Sequence, residues 1–362
     1  MIKISKIFSF GLTLLILFMS VFPKVFAVEE GNTTGLDMGT SLSPVKFIFD
    51  VNQGEIASGE MTIYNVTSIA NYVYTYVSNF KSDGVSGIPV FIKEKMELND
   101  SLKDWITFDK EKYLVENVVK NNTNATKIKF NISIPKNAEY GGHYAAIMVS
   151  INDPKKSLIP DTGNIAFAAD PGCIILLNVK GKVSRDLILK GFLATDPFLK
   201  EKNDQWLFEW MPVEFTTQLE NMGNSHTFPI GNIIVYQGDN EVQKLSFNKS
   251  ESAILRESTR TYSTVMDNGF VFIEPTKDDK GSGVTDSNGN TQTKIGFNFD
   301  LMSKQFIGPF KAKLLLVYDD DGQKKSILAE KEFWILPWKL ILFVIVLITG
   351  YIFVKRKLKS QD

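Results

Sequence analysis

The sequence predicts an all-β protein: two tandem immunoglobulin-like β-sandwich domains followed by a single transmembrane helix. Three observations carry this. Between two hydrophobic ends, short stretches of alternating apolar residues recur, broken by Gly, Pro, Asn and Asp, and no amphipathic helical stretch stands out. About 310 residues lie between those ends, room for roughly two domains of ordinary size. Residues 340–354 carry no charge and run straight into Lys355, Arg356, Lys357 and Lys359.

Residues 1–27 read as a secretory signal peptide. Lys3 and Lys6 form a positive start, residues 7–22 are apolar, and Val25-Phe26-Ala27 supplies the small and apolar positions of a cleavage site. The first sandwich is expected over residues 28–182. Its candidate strands are 46–51, 59–66, 72–77, 127–134, 143–151 and 173–179. Successive side chains of a strand point to opposite faces, so Ile128, Phe130, Ile132 and Ile134 share one face and Lys127, Lys129, Asn131 and Ser133 the other. Tyr72, Tyr74 and Tyr76 also share a face. Packing into the core is the expectation, and stacking on sugars the alternative. Gly181 is a suitable hinge.

The second sandwich is expected over residues 183–335. Its strands are 184–192, 206–210, 213–219, 232–236, 241–247, 260–266, 269–274, 294–299, 308–318 and 325–333. Turn chemistry separates many of them: Asn221-Met222-Gly223-Asn224, Gly238-Asp239-Asn240 and Asp319-Asp320-Asp321-Gly322. The polar, Gly-rich stretch 277–293 reads as an exposed insertion. Residues 336–354 are expected to span a membrane, with Trp334 and Trp338 at one interface and Lys339 near enough to the end to reach it. Residues 355–362 form a basic tail that the positive-inside rule places in the cytoplasm. The chain would then be a single-pass protein of the cell membrane, with its N-terminus outside. The short 335–338 junction holds the second sandwich close to the bilayer and leaves the first pointing outward.

Composition narrows the function. A hydrophobic content of 44% suffices for packed cores, and a net charge of -1 gives no bulk attraction to nucleic acid. The single cysteine, Cys173, excludes an intramolecular disulfide, and its apolar strand marks it as a small core residue. An exported chain of this length without disulfides fits a bacterial origin.

The chain is poor in catalytic residues. Its two histidines, His143 and His226, fall in different expected domains, and no nucleophile elbow, HExxH or phosphate-binding loop is present. No enzyme, cofactor or metal site is expected. The Asp319–Asp321 acidic turn suits a solvated hairpin, with a hard cation left open as the alternative. Two loops gather the unusual residues, and from them Tyr140, His143, Tyr144, Asn221, Asn224 and His226 are the candidate binding residues. In both loops a plain strand connection is the simpler reading. The Gly141-Gly142 pair would set a tight turn, and the Asn and Gly residues of 220–231 suit left-handed positions.

Several stretches resemble a family. They are Ser43-Pro44, Gly54-Glu55, Gly59 through Asn65-Val66-Thr67, Asp104-Trp105-Ile106, Ile134-Pro135 with Gly141-Gly142-His143-Tyr144, Leu219 through Asn224, and Phe333 through Trp338 before the apolar run. The chain resembles bacterial WxL-interacting surface proteins. That resemblance implies two immunoglobulin-like domains and one membrane helix. It also implies a non-catalytic role, with the outer domain associated with peptidoglycan and the inner one with a WxL partner. The expected function is a cell-surface binding or scaffold protein that holds wall glycan or another surface protein. An envelope chaperone-like subunit for secreted proteins is the alternative, and an envelope hydrolase comes last.

Overall fold

The computed structural model describes residues 40–359, apart from 66–69, 116–124, 152, 154–169, 198, 200–201, 210, 267–270, 277–292 and 298–306. The expected signal peptide and residues 277–292 of the expected insertion lie outside the described residues.

The fold is all-β with two sandwiches. In the first, β1 (Thr40–Ser43), β3 (Ile56–Asn65), β8 (Ala125–Ser133) and β6 (Ile106–Phe108) form one sheet, in that order. The facing sheet runs β2 (Lys46–Val51), β10 (Gly172–Val179), β9 (Gly141–Ser150), β4 (Asn71–Ser82) and β5 (Pro89–Phe91), with β7 (Lys112–Val115) also on β4. The chain changes sheets early: β1 pairs antiparallel with β3, then β2 pairs parallel with β10. The alternation read in β8 is real. Ile128, Phe130, Ile132 and Ile134 are buried in the core between the sheets. Gly59 permits this packing, since a Cβ there would lie 2.2 Å from Cζ of Phe130.

The tyrosines of β4 correct one expectation. They do share a face, but Val73 and Val77 pack in the core, so the tyrosine row is on the outer face, with Tyr72 53% exposed. Cys173 behaves as expected: it is buried, and burial pushes its thiol up to about 12.

In the second sandwich, β11 (Leu187–Thr195), β13 (Val213–Asn221) and β16 (Ser258–Met266) form one sheet. The other runs β12 (Leu207–Phe208), β20 (Gln323–Ile335), β19 (Gly308–Asp320), β14 (Ile230–Gln237) and β15 (Asn240–Phe247). Phe215 and Phe333 fill its core, and burying an aromatic of this size stabilises by about 1.5–3 kcal/mol. The strands flanking the expected insertion, β17 (Val271–Pro275) and β18 (Thr293–Phe297), pair as an antiparallel hairpin. The 319–322 stretch forms the β19–β20 turn, where Asp321 and Gly322 both have positive φ, as a tight hairpin requires. Its carboxylates have protein partners. Asp319 accepts from the Gly322 amide, and Asp320 accepts from the Arg185 amide and pairs with Lys325. Among the described residues no His, Cys, Asp and Glu group could hold a metal ion.

Two helices are described: the short α1 (Leu102–Trp105), which the sequence reading missed, and α2 (Trp338–Lys359). Among the described residues no helix is long and apolar enough to cross a membrane, so the expected span is not shown. Leu340 and Val354, within its apolar run, have side chains outside the described residues. On α2, Ile341, Leu342, residues 344–348 and Tyr351 to Phe353 are exposed.

Candidate functional site

The candidate residues converge where the two sandwiches meet. The turn before β9 comes from the first sandwich, and the β13–β14 loop and residues 248–257 come from the second. Backbone and amide bonds join them. The Gly142 amide donates to Asn224 O at 2.8 Å, and Asn224 Nδ2 donates to Tyr140 O at 3.3 Å and Lys182 O at 2.9 Å. Asn224 Oδ1 accepts from the Ser184 amide at 2.9 Å. One side chain thus ties the first sandwich, the linker and the second sandwich together.

The glycine pair is required by this approach. Gly141 has φ +112°, and a Cβ there would lie 2.2 Å from Asn224 O. At Gly142 a Cβ would meet Tyr144 Oη at 2.1 Å. Asn221 is wholly buried and shapes the opposing loop. Its Nδ2 donates to Ser225 O at 2.7 Å and Leu255 O at 3.0 Å, while Oδ1 accepts from the Gly223 amide at 3.0 Å.

Charge reinforces the contact. Asn79 on β4 donates to Ser101 Oγ at 2.9 Å and accepts from the Lys103 amide at 2.8 Å, which fixes α1 and Ser101 before it, next to Asp100. Asp100 receives Arg256 Nη2 at 2.9 and 3.0 Å from the second sandwich and lies 3.0 Å from His143 Nδ1. Burial works against the Asp100 carboxylate, but the hydrogen bonds from His143 and Arg256 and the Arg256 charge outweigh it, so its pKa is lowered. His143 Nε2 lies 2.8 Å from Glu139 O, so both ring nitrogens face oxygen atoms. Its ring centroid lies 4.7 Å from that of Trp105, so the two rings pack together.

Tyr144 and His226 face each other across the contact with centroids 5.7 Å apart, and Phe228 closes the other side of His226 at 5.4 Å. His226 is 4% exposed, and its Nδ1 has no hydrogen-bond partner among the described residues. Burial and the Arg185 charge push its pKa down to about 4, so the ring is neutral at pH 7. Tyr144 Oη accepts from the Arg256 amide at 3.1 Å. Phe80, Ala146, Met148 and Leu176 of the first sandwich pack with Ala253, Phe228 and Leu255 of the second. Ser225 Oγ donates to Asn178 Oδ1 at 2.9 Å. Tyr140 is the most exposed candidate; it lies against Gly181 and donates to Gln53 Oε1 at 3.3 Å.

All six candidates therefore belong to one junction. His143 and His226, which the sequence reading sets in separate domains, lie on the two sides of the same contact. That reading missed Asp100, Arg256, Asn178 and Ser225. They are ordinary polar residues in loops and on one strand, and nothing in their local sequence marks them. It also missed Glu214, buried on the outer face of the three-stranded sheet. There Glu214 pairs with Lys202 and accepts from Ser263.

No protein-family model matches the chain, and no curated protein is similar to it. Solved structures do show similarity. The class 5 fimbriae chaperone CfaA matches 81% of this chain and 98% of its own, at 11% identity and a TM-score of 0.33. The YadV chaperone matches 82% of this chain and 100% of its own, at 9% identity and a TM-score of 0.31. The Pseudomonas aeruginosa CupB2 chaperone matches 82% and 100%, at 6% identity and a TM-score of 0.29. Likeness at this level transfers neither a partner nor an activity to this chain.

Proposed function

We propose that this protein is a non-catalytic holder of the cell envelope. It keeps another surface protein, or wall glycan, in a fixed position outside the membrane. The observation that carries the reading is the junction. The histidines, tyrosines and amides that the sequence puts forward as binding residues contact mainly one another and the backbone across two domains. A junction built this way sets the relative orientation of two binding surfaces.

The membrane anchor belongs to the same proposal. The apolar run 340–354 and the basic residues after it support it, as does the exposure of five successive apolar side chains at 344–348. Five successive helical positions point in every direction, and a helix apolar all round belongs in a protein core or in lipid. Of the two partner classes, a surface protein is preferred, because the outer strand β15 offers main-chain groups that a partner strand can pair with. A WxL partner is the one the family resemblance implies.

The test is crosslinking of the full chain in intact envelopes, alongside co-sedimentation with purified peptidoglycan. One recurrent crosslinked surface protein, or retention on the glycan above a charge-matched control, supports the holder. Turnover of wall polymer that is lost on changing one carboxylate in a folded variant would overturn it. The second reading, an envelope chaperone-like subunit, comes forward because fimbrial chaperones are among the similar folds. It differs in requiring release, so a crosslinked partner that leaves the protein during a chase supports the chaperone, and one that stays supports the holder.

A further inference from the structure

We infer that the α2-proximal end of the second sandwich carries its own contact surface for the lipid–water interface, formed by Trp206, Ile307, Trp334 and Trp338. The inference rests on the proposed membrane location and adds a site to it. All four residues are exposed, at 67, 52, 44 and 45% respectively. They come from separate parts of the chain, and backbone pairing brings those parts together where β20 leaves the sheet for α2. The Trp334 amide donates to Trp206 O at 2.7 Å, and β12 continues beside β20 with Leu207 opposite Trp334. On the other side of β20, Gly308 pairs with Ile335, which brings Ile307 to the same end. Gln237 Nε2 holds that corner by donating to Ile307 O at 2.8 Å.

The surface is braced. Lys331 pairs with Asp204 at 2.6 Å, fixing the segment that carries Trp206. Lys339 pairs with Glu209 at 2.7 Å and lies 5.6 Å from the Trp338 ring centroid, fixing the first turn of α2 against the sandwich. Single exposed apolar residues are ordinary, but three indoles and an isoleucine at one end of a domain are a patch. Indole has an apolar ring and one donor, the combination that concentrates tryptophan at headgroup level. Lipid is the occupant the structure favours, because the patch is continuous with the exposed apolar side chains of α2.

The experiment uses the full chain in phosphatidylcholine vesicles with bromine on shallow or deep acyl positions, comparing wild type with Trp206→Phe. Shallow bromine is expected to quench wild-type tryptophan emission. Trp206→Phe should remove about one third of the quenched share, one indole of the three exposed among the described residues. Near-ultraviolet circular dichroism checks that the variant is folded. If the protein resists carbonate extraction but Trp206→Phe leaves the quenched share unchanged, the anchor stands and the contact surface is overturned. If carbonate strips the protein from vesicles on which Trp206 had been quenched, the anchor fails and the contact surface stands. Trp206 emission that responds to protein concentration and not to lipid assigns the patch to a second copy, and overturns the inference.

Discussion

Asn221 organises more of the junction than any charged residue. It is fully buried and bonds to three loop positions through both ends of its amide. Asn221→Ala leaves buried backbone groups unsatisfied, so a loss of about 3 kcal/mol in urea unfolding is expected. Arg256→Ala should remove about 2 kcal/mol, since it strips a partly buried carboxylate of a charged partner.

His226 sets a pH dependence with a definite sign. Its folded pKa of about 4 lies below the ordinary histidine value, so the folded state resists protonation. Its contribution is complete above about pH 6.5 and falls as pH drops toward 4, by about 3 kcal/mol in total. His226→Phe should flatten stability across that window. Asp100 acts in a lower one: its folded pKa is depressed, so its contribution is lost only below about pH 4. An unchanged slope between pH 6.5 and 4 in His226→Phe would remove His226 as the cause.

At the scale of elements, β9 is the critical strand because it begins at the junction and runs through the first core. Gly141→Ala places a Cβ 2.2 Å from Asn224 O at a backbone angle alanine avoids. The junction should part while each sandwich persists. Calorimetry should then show two transitions where the wild type shows one. Cys173 on β10 offers an independent probe, because its buried, un-ionised thiol should react with a maleimide only as the first sandwich unfolds.

Long elements with a clean period were legible in sequence. Alternation identified β8 and its inward face, and the Asp-Gly turn identified the β19–β20 hairpin. The tyrosines of β4 show the limit of the method. A period of two puts Tyr72, Tyr74 and Tyr76 on one face but does not say which, and the valines between them take the core. The short β1 ahead of β2, and the short β5, β6, β7 and α1, were not legible. Three or four residues carry no period, and their pairing is set by neighbours distant in sequence.

At the scale of the molecule, two loops chosen for their Gly, Asn, His and Tyr content prove to be the two sides of one contact. Their composition was legible because close backbone approach and left-handed turns demand those residue types. Their meeting was not, because it depends on how two domains are set against each other. Asp100 and Arg256 complete the contact across 156 positions, a separation that no local pattern reveals.

The central claim is that this contact holds the two sandwiches as one body, so that a partner is kept at a fixed place. Spin labels at Lys129→Cys and Glu241→Cys, both exposed positions on different sandwiches, test it by double electron–electron resonance, with Cys173 too buried to interfere. The account predicts one narrow distance distribution for the otherwise wild-type chain and a broad one when Arg256→Ala is added. A broad distribution with Arg256 in place would contradict it.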